Sequence, residues 1–367
     1  MKLYKKLGLG IVGFIVLLIL SFFGLLAHFN LNHFRAVKAQ ERHLAALSAH
    51  YGGAYQPVNE NAFSDIPASE LSELRLNDVR FLATHNSYKQ YGSAPGKLMI
   101  RLFTNQNEAN ALRYAHKQLT NQLESGIRSF EIDVRLRGTT FEAVHVPLVD
   151  NMSNLINLEK GFRELKLFSD HNPKHFPIIT LIEFKDDWTF LDPKIRKIGD
   201  TEFSDFDRIL KEVFGDKLYR PADFLAATGA NSISEAVRKG WPTIESMMGK
   251  FIFIVHSGDF AKRYYAMDTT LTGQQMFIAG GADALSASFI LHNNPNVAEI
   301  RALIDKGFIV RTRMDENLVR DDERMRRAMD SGAQILSSDF TISRADSNAP
   351  YTWLNNEGIT ITKVEPF

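Results

Sequence analysis

An α/β fold is predicted by two observations. Eight short apolar, β-rich runs recur along the chain, at 79–83, 128–134, 141–145, 178–183, 251–256, 288–291, 308–313 and 335–338. Helical patterns fall between several of them, at about 108–123, 155–168, 206–214, 232–238, 297–305 and 321–329. Strands alternating with helices argue for a parallel sheet with helical crossovers, and eight strands argue for closure into a TIM-type (β/α)8 barrel. The connection from the second run to the third is too short for a helix. An imperfect barrel with an antiparallel or distorted neighbour is therefore expected there. The interval 185–250 is read as insertions that cover the rim.

The chain opens with Lys2, Lys5 and Lys6 followed by an almost unbroken apolar stretch over 7–27. At about 1.5 Å per residue this stretch crosses a ~30 Å hydrocarbon core. It exceeds the apolar region of a secretory signal, and no small-x-small cleavage site follows, so residues 1–28 are read as an uncleaved transmembrane anchor. Lysines before the span place them in the cytoplasm and the remaining chain outside, periplasmic or extracellular. Residues 29–74, punctuated by Gly52-Gly53, Pro57, Asn59, Pro67 and Ser69, read as a tether with a short helix near 34–47. The barrel is assigned to 75–345 and a C-terminal extension to 346–367.

Lys plus Arg and Asp plus Glu are equal at 43 each, so no global field draws in nucleic acid, and recognition must be local. Cysteine is absent, which removes thiolate ligands and weakens a structural zinc reading. The 27 phenylalanines are assigned to the core and helix interfaces, with insertion of Trp188 and Phe190 into a membrane interface as the minority alternative.

The chemistry sits where the apolar runs end. The first ends in Thr84-His85-Asn86-Ser87-Tyr88, the second carries Glu131-Ile132-Asp133, the third ends in His145-Val146-Pro147 and the fourth in Glu183-Phe184-Lys185. In a parallel sheet the C-terminal strand ends converge on one rim, whatever their separation in sequence. Side chains alternate along a strand, so Glu131 and Asp133 point the same way and repel unless a cation lies between them. A hard cation such as Ca2+ takes oxygen ligands, and Asn86, Glu131, Asp133 and Glu183 form a sensible set.

In this order, His-Asn, Glu-x-Asp, His, then Glu after an Ile-rich strand, the chain resembles the X-type catalytic barrel of phosphatidylinositol-specific phospholipase C, most closely the bacterial calcium-dependent branch. The segments Val310-Arg311-Thr312-Arg313-Met314-Asp315 and Ser331-Gly332-Ala333-Gln334-Ile335-Leu336-Ser337-Ser338-Asp339 are similar to it as well. The resemblance implies a calcium-dependent phosphodiesterase that cleaves phosphatidylinositol, the inositol 2-hydroxyl attacking phosphorus and diacylglycerol leaving. By the same resemblance, His85 hydrogen-bonds a nonbridging phosphate oxygen, Asn86 and Glu183 are calcium ligands, and His145 protonates the leaving oxygen. Glu131 or Glu183 is the expected general base, with the choice open. Lys185 and Arg313 are expected to bind phosphate or inositol, while His256 and Asp339 are rim residues without an assigned role. His116, His171, His175 and His292 are read as surface or packing residues.

Two other readings stand beside this one. A metal-dependent glycerophosphodiester phosphodiesterase also uses Glu-x-Asp and two histidines, but would show His-Arg and His-Asp where this chain has His85-Asn86 and His145-Val146. An inactive, membrane-anchored module binding inositol lipids would have no use for a general acid. The expected partners are a phosphodiester lipid and the membrane.

Overall fold

The computed structural model describes residues 2–345, 351 and 358–365, with side chains from residue 8 onward. The extension expected at 346–367 thus lies in part outside the described residues, as do the side chains of Lys2, Lys5 and Lys6. The strands are β1 (Val79–Thr84), β2 (Ser129–Arg137), β3 (Thr140–Ala143), β4 (Ile178–Phe184), β5 (Ile195–Arg196), β6 (Phe251–Val255), β7 (Phe277–Ala279), β8 (Ala287–Leu291), β9 (Ile309–Arg313), β10 (Ile335–Ser338) and β11 (Ile361–Lys363). Eight are parallel neighbours in the order β1, β2, β4, β6, β7, β8, β9, β10, and β1 pairs with both β10 and β2 to shut the ring. This is the closed TIM-type barrel that the alternating pattern predicts.

Its membership differs from the sequence expectation at two places. The run 141–145 is not a barrel strand: β3 pairs antiparallel with β2, Val134 opposite Ala143 and Arg137 opposite Thr140. Only Gly138 and Thr139 connect them, and a parallel return needs a crossover of a dozen residues or more. The eighth barrel strand is instead β7, whose three residues Phe277–Ala279 are too short to show a period. β2 touches β1 only at Ser129 and Phe130, while β11 lies antiparallel along the other half of β1, from Val79 to Phe81.

Outside the barrel the helices pack through phenylalanine. Phe206 meets Phe162, Phe184 and Phe141 edge-on at centroid distances of 5.8, 5.0 and 5.1 Å, and Phe162 meets Phe253 of β6 at 5.3 Å. Edge-to-face contacts of this kind suit the ring quadrupole and join the helix layer to the sheet.

The N-terminal segment is one continuous helix, α1 (Lys2–His50). Its first part carries exposed Leu9, Ile11, Phe14, Leu17, Leu20 and Phe23 and is long and apolar enough to cross a membrane. Where a tether with a short helix was expected, residues 28–50 continue the same helix and lie against the barrel. The reason is legible in the side chains: Phe29, Asn32, Ala36, Gln40 and Leu47 recur at helical spacing and are all buried, while no glycine or proline breaks the run between Gly24 and Gly52. The remaining helices named below are α2 (Ala94–Phe103), α3 (Gln106–Ala111), α4 (Leu119–Glu124) and α5 (Leu158–His171).

Candidate active site

The chain leaves β1 through a turn that places His85 and Asn86 at the C-terminal rim. Asn86 adopts φ +48, a left-handed conformation that asparagine tolerates better than most residues. The turn is tied to β2: Ser87 donates its backbone N–H to the Glu131 carbonyl, and the Glu131 N–H donates to Ser87 Oγ at 2.9 Å. Asn86 is buried and donates its amide Nδ2 to the Tyr114 hydroxyl at 2.9 Å.

His85 is held from three sides. Its Nδ1 lies 2.8 Å from Asp339 Oδ1 just past β10, Arg313 Nη1 lies 3.2 Å from its Nε2, and its backbone carbonyl accepts from His116 Nε2 at 2.9 Å. A guanidinium only donates, so the contacts assign the ring proton to Nδ1 and leave Nε2 as an acceptor. Arg313 also donates Nη2 to Asp339 Oδ2 at 3.0 Å, so both Asp339 oxygens are engaged. Burial alone would raise the Asp339 carboxyl, yet its contacts with His85 and Arg313 hold it well below the usual carboxylate range.

The carboxylates of β2 and β4 form the floor. Glu131 is paired with Arg311 of β9, which also donates to Ser337 Oγ at 2.9 Å. Burial works to raise Glu131, and the Arg311 charge prevails and lowers it. Asp133 Oδ2 accepts from the Tyr88 hydroxyl at 2.9 Å and lies 3.0 Å from Lys185 Nζ, whereas its buried Oδ1 has no partner. Glu183 lies 3.4 Å from Lys185 Nζ, but burial and then the neighbouring Asp133 charge push its carboxyl up to about 8. Three carboxylates therefore face two cations. Burial first, and then this negative excess, disfavour the proton-free form of Glu183.

His145 reaches this floor by an unexpected route. β2 runs beyond the barrel mouth to Arg137, and β3 returns antiparallel, so His145 comes back down beside Asp133, with Nε2 4.0 Å from Asp133 Oδ2 and Nδ1 3.9 Å from Asp150 Oδ2. Burial pushes its imidazole down to about 4, against the pull of the Asp133 carboxylate. Asp150 is itself paired with the buried Lys89 at 2.8 Å.

The structure thus brings His85, Arg313, Glu131, Asp133, Glu183, Lys185 and His145 to one rim. Asn86 stands beside them with its amide committed to Tyr114. Two groups without an assigned role from sequence join them. Asp339 pairs with His85, and His256 comes together with Glu131 and Glu183 so that one potential ligand atom from each lies within 4.8 Å of the others. His256 Nδ1 is bonded to the Ser257 carbonyl at 2.9 Å, which leaves Nε2 free. His116, read from sequence as surface or packing, is fully buried behind His85, and burial lowers it to about 4. Its one sequence signal is its position in the β1–β2 connection.

The donors fit a hard cation. The unpartnered Asp133 Oδ1 and the repelled Glu183 both call for positive charge at this spot, and oxygen dominates the set.

A family model described as phosphoinositide phospholipase C, Ca2+-dependent, matches residues 74–136 and 135–366. Among solved structures, the calcium-dependent phosphoinositol-specific phospholipase C of a Gram-negative Pseudomonas sp is 18% identical with a TM-score of 0.56, covering 83% of this chain and 99% of its own. The Ca2+-dependent phosphatidylinositol-specific phospholipase C of Streptomyces antibioticus is 16% identical with a TM-score of 0.55, covering 79% of this chain and 99% of its own. At such identities these structures attest the barrel alone. No curated protein matches the sequence.

Proposed function

This chain belongs to the Ca2+-dependent phosphoinositide phospholipase C family, and on that premise we propose that it cleaves phosphatidylinositol to diacylglycerol and a cyclic inositol phosphate at the β1/β2/β4/β10 rim. The observation that carries the reading is that two imidazoles, His85 oriented by Asp339 and His145 with Nε2 4.0 Å from Asp133, share one rim with the carboxylates of β2 and β4.

The inositol 2-hydroxyl must lose a proton as it attacks phosphorus. Of the carboxylates weighed for that task, Glu131 is committed to Arg311 with its proton affinity lowered, and both Glu131 and Glu183 belong to the set that would hold Ca2+. His85 is better disposed: with Nδ1–H on Asp339, its Nε2 carries the lone pair, which is released for the proton when the substrate phosphate takes the Arg313 guanidinium now 3.2 Å away. Asp339 stabilises the imidazolium that forms, and the new Nε2–H then donates to a phosphate oxygen, the contact expected of this histidine from sequence. Arg313, already 3.2 Å from Nε2, supplies fixed positive charge to the same oxygen.

His145, beside Asp133 and Asp150, delivers a proton to the departing diacylglycerol oxygen. Burial by itself disfavours the imidazolium; an anionic phosphodiester placed beside it offsets that cost, with Asp133 and Asp150 as further support. Lys185 keeps Asp133 ionised and is read as a second contact for phosphate or inositol. Asn86, Glu131, Asp133 and Glu183 would hold Ca2+, which when bound lowers the pKa of a coordinated hydroxyl. Imidazole is a poor calcium ligand, so His256 is assigned to the wall of the site.

We further propose that residues 75–345 are the catalytic body and that the apolar half of α1 spans a bilayer, with Lys2, Lys5 and Lys6 cytoplasmic and the body outside. The deciding experiment measures water-soluble inositol phosphate released from phosphatidylinositol vesicles by the full chain, with calcium, with chelator and as His85→Ala. Calcium-dependent release lost in the variant supports the reading. Hydrolysis of glycerophosphoinositol without release from vesicles would overturn it in favour of a glycerophosphodiesterase.

A further inference from the structure

The body does not hang from α1; it is clamped along it. Asn151 Nδ2 donates to the Phe29 carbonyl at 3.0 Å, and His33 Nε2 lies 3.0 Å from Glu142 of β3. Gln40 exchanges two hydrogen bonds with the backbone of Asn157, at 2.8 and 2.9 Å. His43 lies 2.9 Å from Glu164, His50 lies 2.6 Å from Glu124, and Tyr51 stacks on His171 with centroids 4.5 Å apart. Contacts this evenly spaced hold about 22 residues of chain, roughly 33 Å of rise, in one orientation.

The polarity of that clamp follows from α5. As α1 advances through residues 40 and 43 to Tyr51 just past its end, its partners on and beside α5 advance through 157, 164 and 171. The two helices therefore run parallel. α5 starts after the β3 hairpin at the rim and ends before β4 begins, so it descends from the mouth of the barrel to the opposite end. The N-terminal, apolar half of α1 must then leave the body on the mouth side.

Where it leaves, the surface is apolar. Leu25 and Phe29 of α1 share one cluster with Ile100 of α2, Leu112, Val149 and Leu191. Directly adjoining that cluster in sequence are the exposed Leu98, Leu102, Phe103, Trp188 and Phe190, the last 77% exposed. These side chains lie in the connections after β1 and β4, which also carry His85 and Lys185. An apolar platform continuous with a membrane-spanning helix has one occupant of matching chemistry, the bilayer that the helix spans.

We infer that α1 is a rigid strut that seats the barrel mouth on its own membrane, so that the enzyme takes lipid from the outer leaflet of the bilayer in which it is anchored and not from an apposed one. This rests on the proposed anchor and phospholipase activity. Residues 98–103 and 188–190 enter the headgroup region, and the continuous helix between the span and Phe29 forbids the body to turn its mouth away.

The chain has no cysteine, so single cysteines report position without background. Full-length Phe103→Cys, Phe190→Cys and, at the opposite end of the barrel, Ser246→Cys would be labelled with an environment-sensitive fluorophore and reconstituted into phosphatidylcholine–phosphatidylinositol vesicles. Brominated lipids should quench labels at 103 and 190 and spare the label at 246; equal quenching, or labels at 103 and 190 open to aqueous iodide as fully as that at 246, would overturn the inference. This readout needs no catalysis, so it stands or falls apart from the activity. In the same proteoliposomes, phosphatidylinositol in the protein's own vesicles should be consumed at least about tenfold faster than in added protein-free vesicles. A ten-residue Gly-Ser insertion after His28, which keeps the tether but frees the body to turn, should narrow that preference and reduce the bromolipid quenching at 103 and 190, whereas equal rates on both vesicle populations for the uninserted chain would overturn the strut.

Discussion

His85 Nδ1 and Asp339 Oδ1 stand 2.8 Å apart, although 254 residues separate them in the chain. The contact exists because the barrel closes: β1 and β10 are neighbours through four residue pairs, Phe81–Ile335 to Thr84–Ser338, so the residue that follows each strand emerges at the same height. Asp339 fixes the ring orientation and the tautomer that leaves Nε2 as an acceptor.

Asp339→Asn should therefore lower kcat by about 10²–10⁴, the range of a disabled general base, with KM for phosphatidylinositol little changed. Steady-state kinetics on mixed micelles checks this. A variant that lost activity through general unfolding would instead lose calcium binding and its thermal transition together, which circular dichroism separates from the catalytic effect.

Arg311 and Glu131 form a buried pair beneath the rim, both side chains being less than a tenth exposed. Removing one partner strands a charge, at a cost of about 3–5 kcal/mol. Arg311→Met should destabilise by that order and raise the proton affinity of Glu131, since the Arg311 charge is what lowers it. Adding Glu131→Gln should recover part of the loss, and urea denaturation of the single and double variants measures the coupling.

Much of the rim is legible in the amino-acid sequence because its members end apolar runs: His85, Glu131, Asp133, Glu183 and Lys185 sit where a parallel strand must stop. Asp339 is visible there as a rim residue, but its pairing with His85 is not, because pairing depends on which strands become neighbours when the sheet closes. His145 reaches the rim on an antiparallel return and not on the barrel strand that its apolar run suggests. β7 escapes sequence reasoning because three residues carry no period, whereas the buried stripe at Phe29, Ala36, Gln40 and Leu47 is periodic but hidden by its continuity with the apolar span before it.

Away from the site, Asp207 introduces a pH dependence of stability. The Tyr264 hydroxyl donates to it at 2.7 Å while accepting the backbone N–H groups of Gln275 and Met276, and burial pushes the carboxyl from 3.8 up to about 7. A folded-state pKa above the unfolded one means that the folded chain binds the proton more tightly. The contribution is complete below the unfolded value and is lost as pH rises through about 7. An offset of about three units corresponds to ~4 kcal/mol, reduced to roughly 2 kcal/mol by partial solvent screening. Asp207→Asn should thus gain stability relative to wild type between pH 4 and pH 8, read from urea midpoints across that range; a constant difference would contradict the assignment.

The carboxylate floor should also report its cation without any turnover. A ligand that binds only the folded state adds about 2.7 kcal/mol at a hundredfold excess over Kd, and for a domain of this size each kcal/mol raises Tm by about 2–4 °C. Calcium at saturation should therefore raise Tm by several degrees. Asp133 offers the unpartnered Oδ1, and Glu183 is the carboxyl raised by burial and by its neighbour, so Asp133→Asn and Glu183→Gln should each remove most of that shift. Glu183→Gln also relieves the repulsion between the two carboxylates, so that metal-free variant should be no less stable than the metal-free parent, whereas Asp133→Asn gives up the ion pair with Lys185 and should lower the metal-free Tm. A calcium-induced shift that survives both substitutions would place the cation elsewhere, and scanning calorimetry with and without chelator decides between the two.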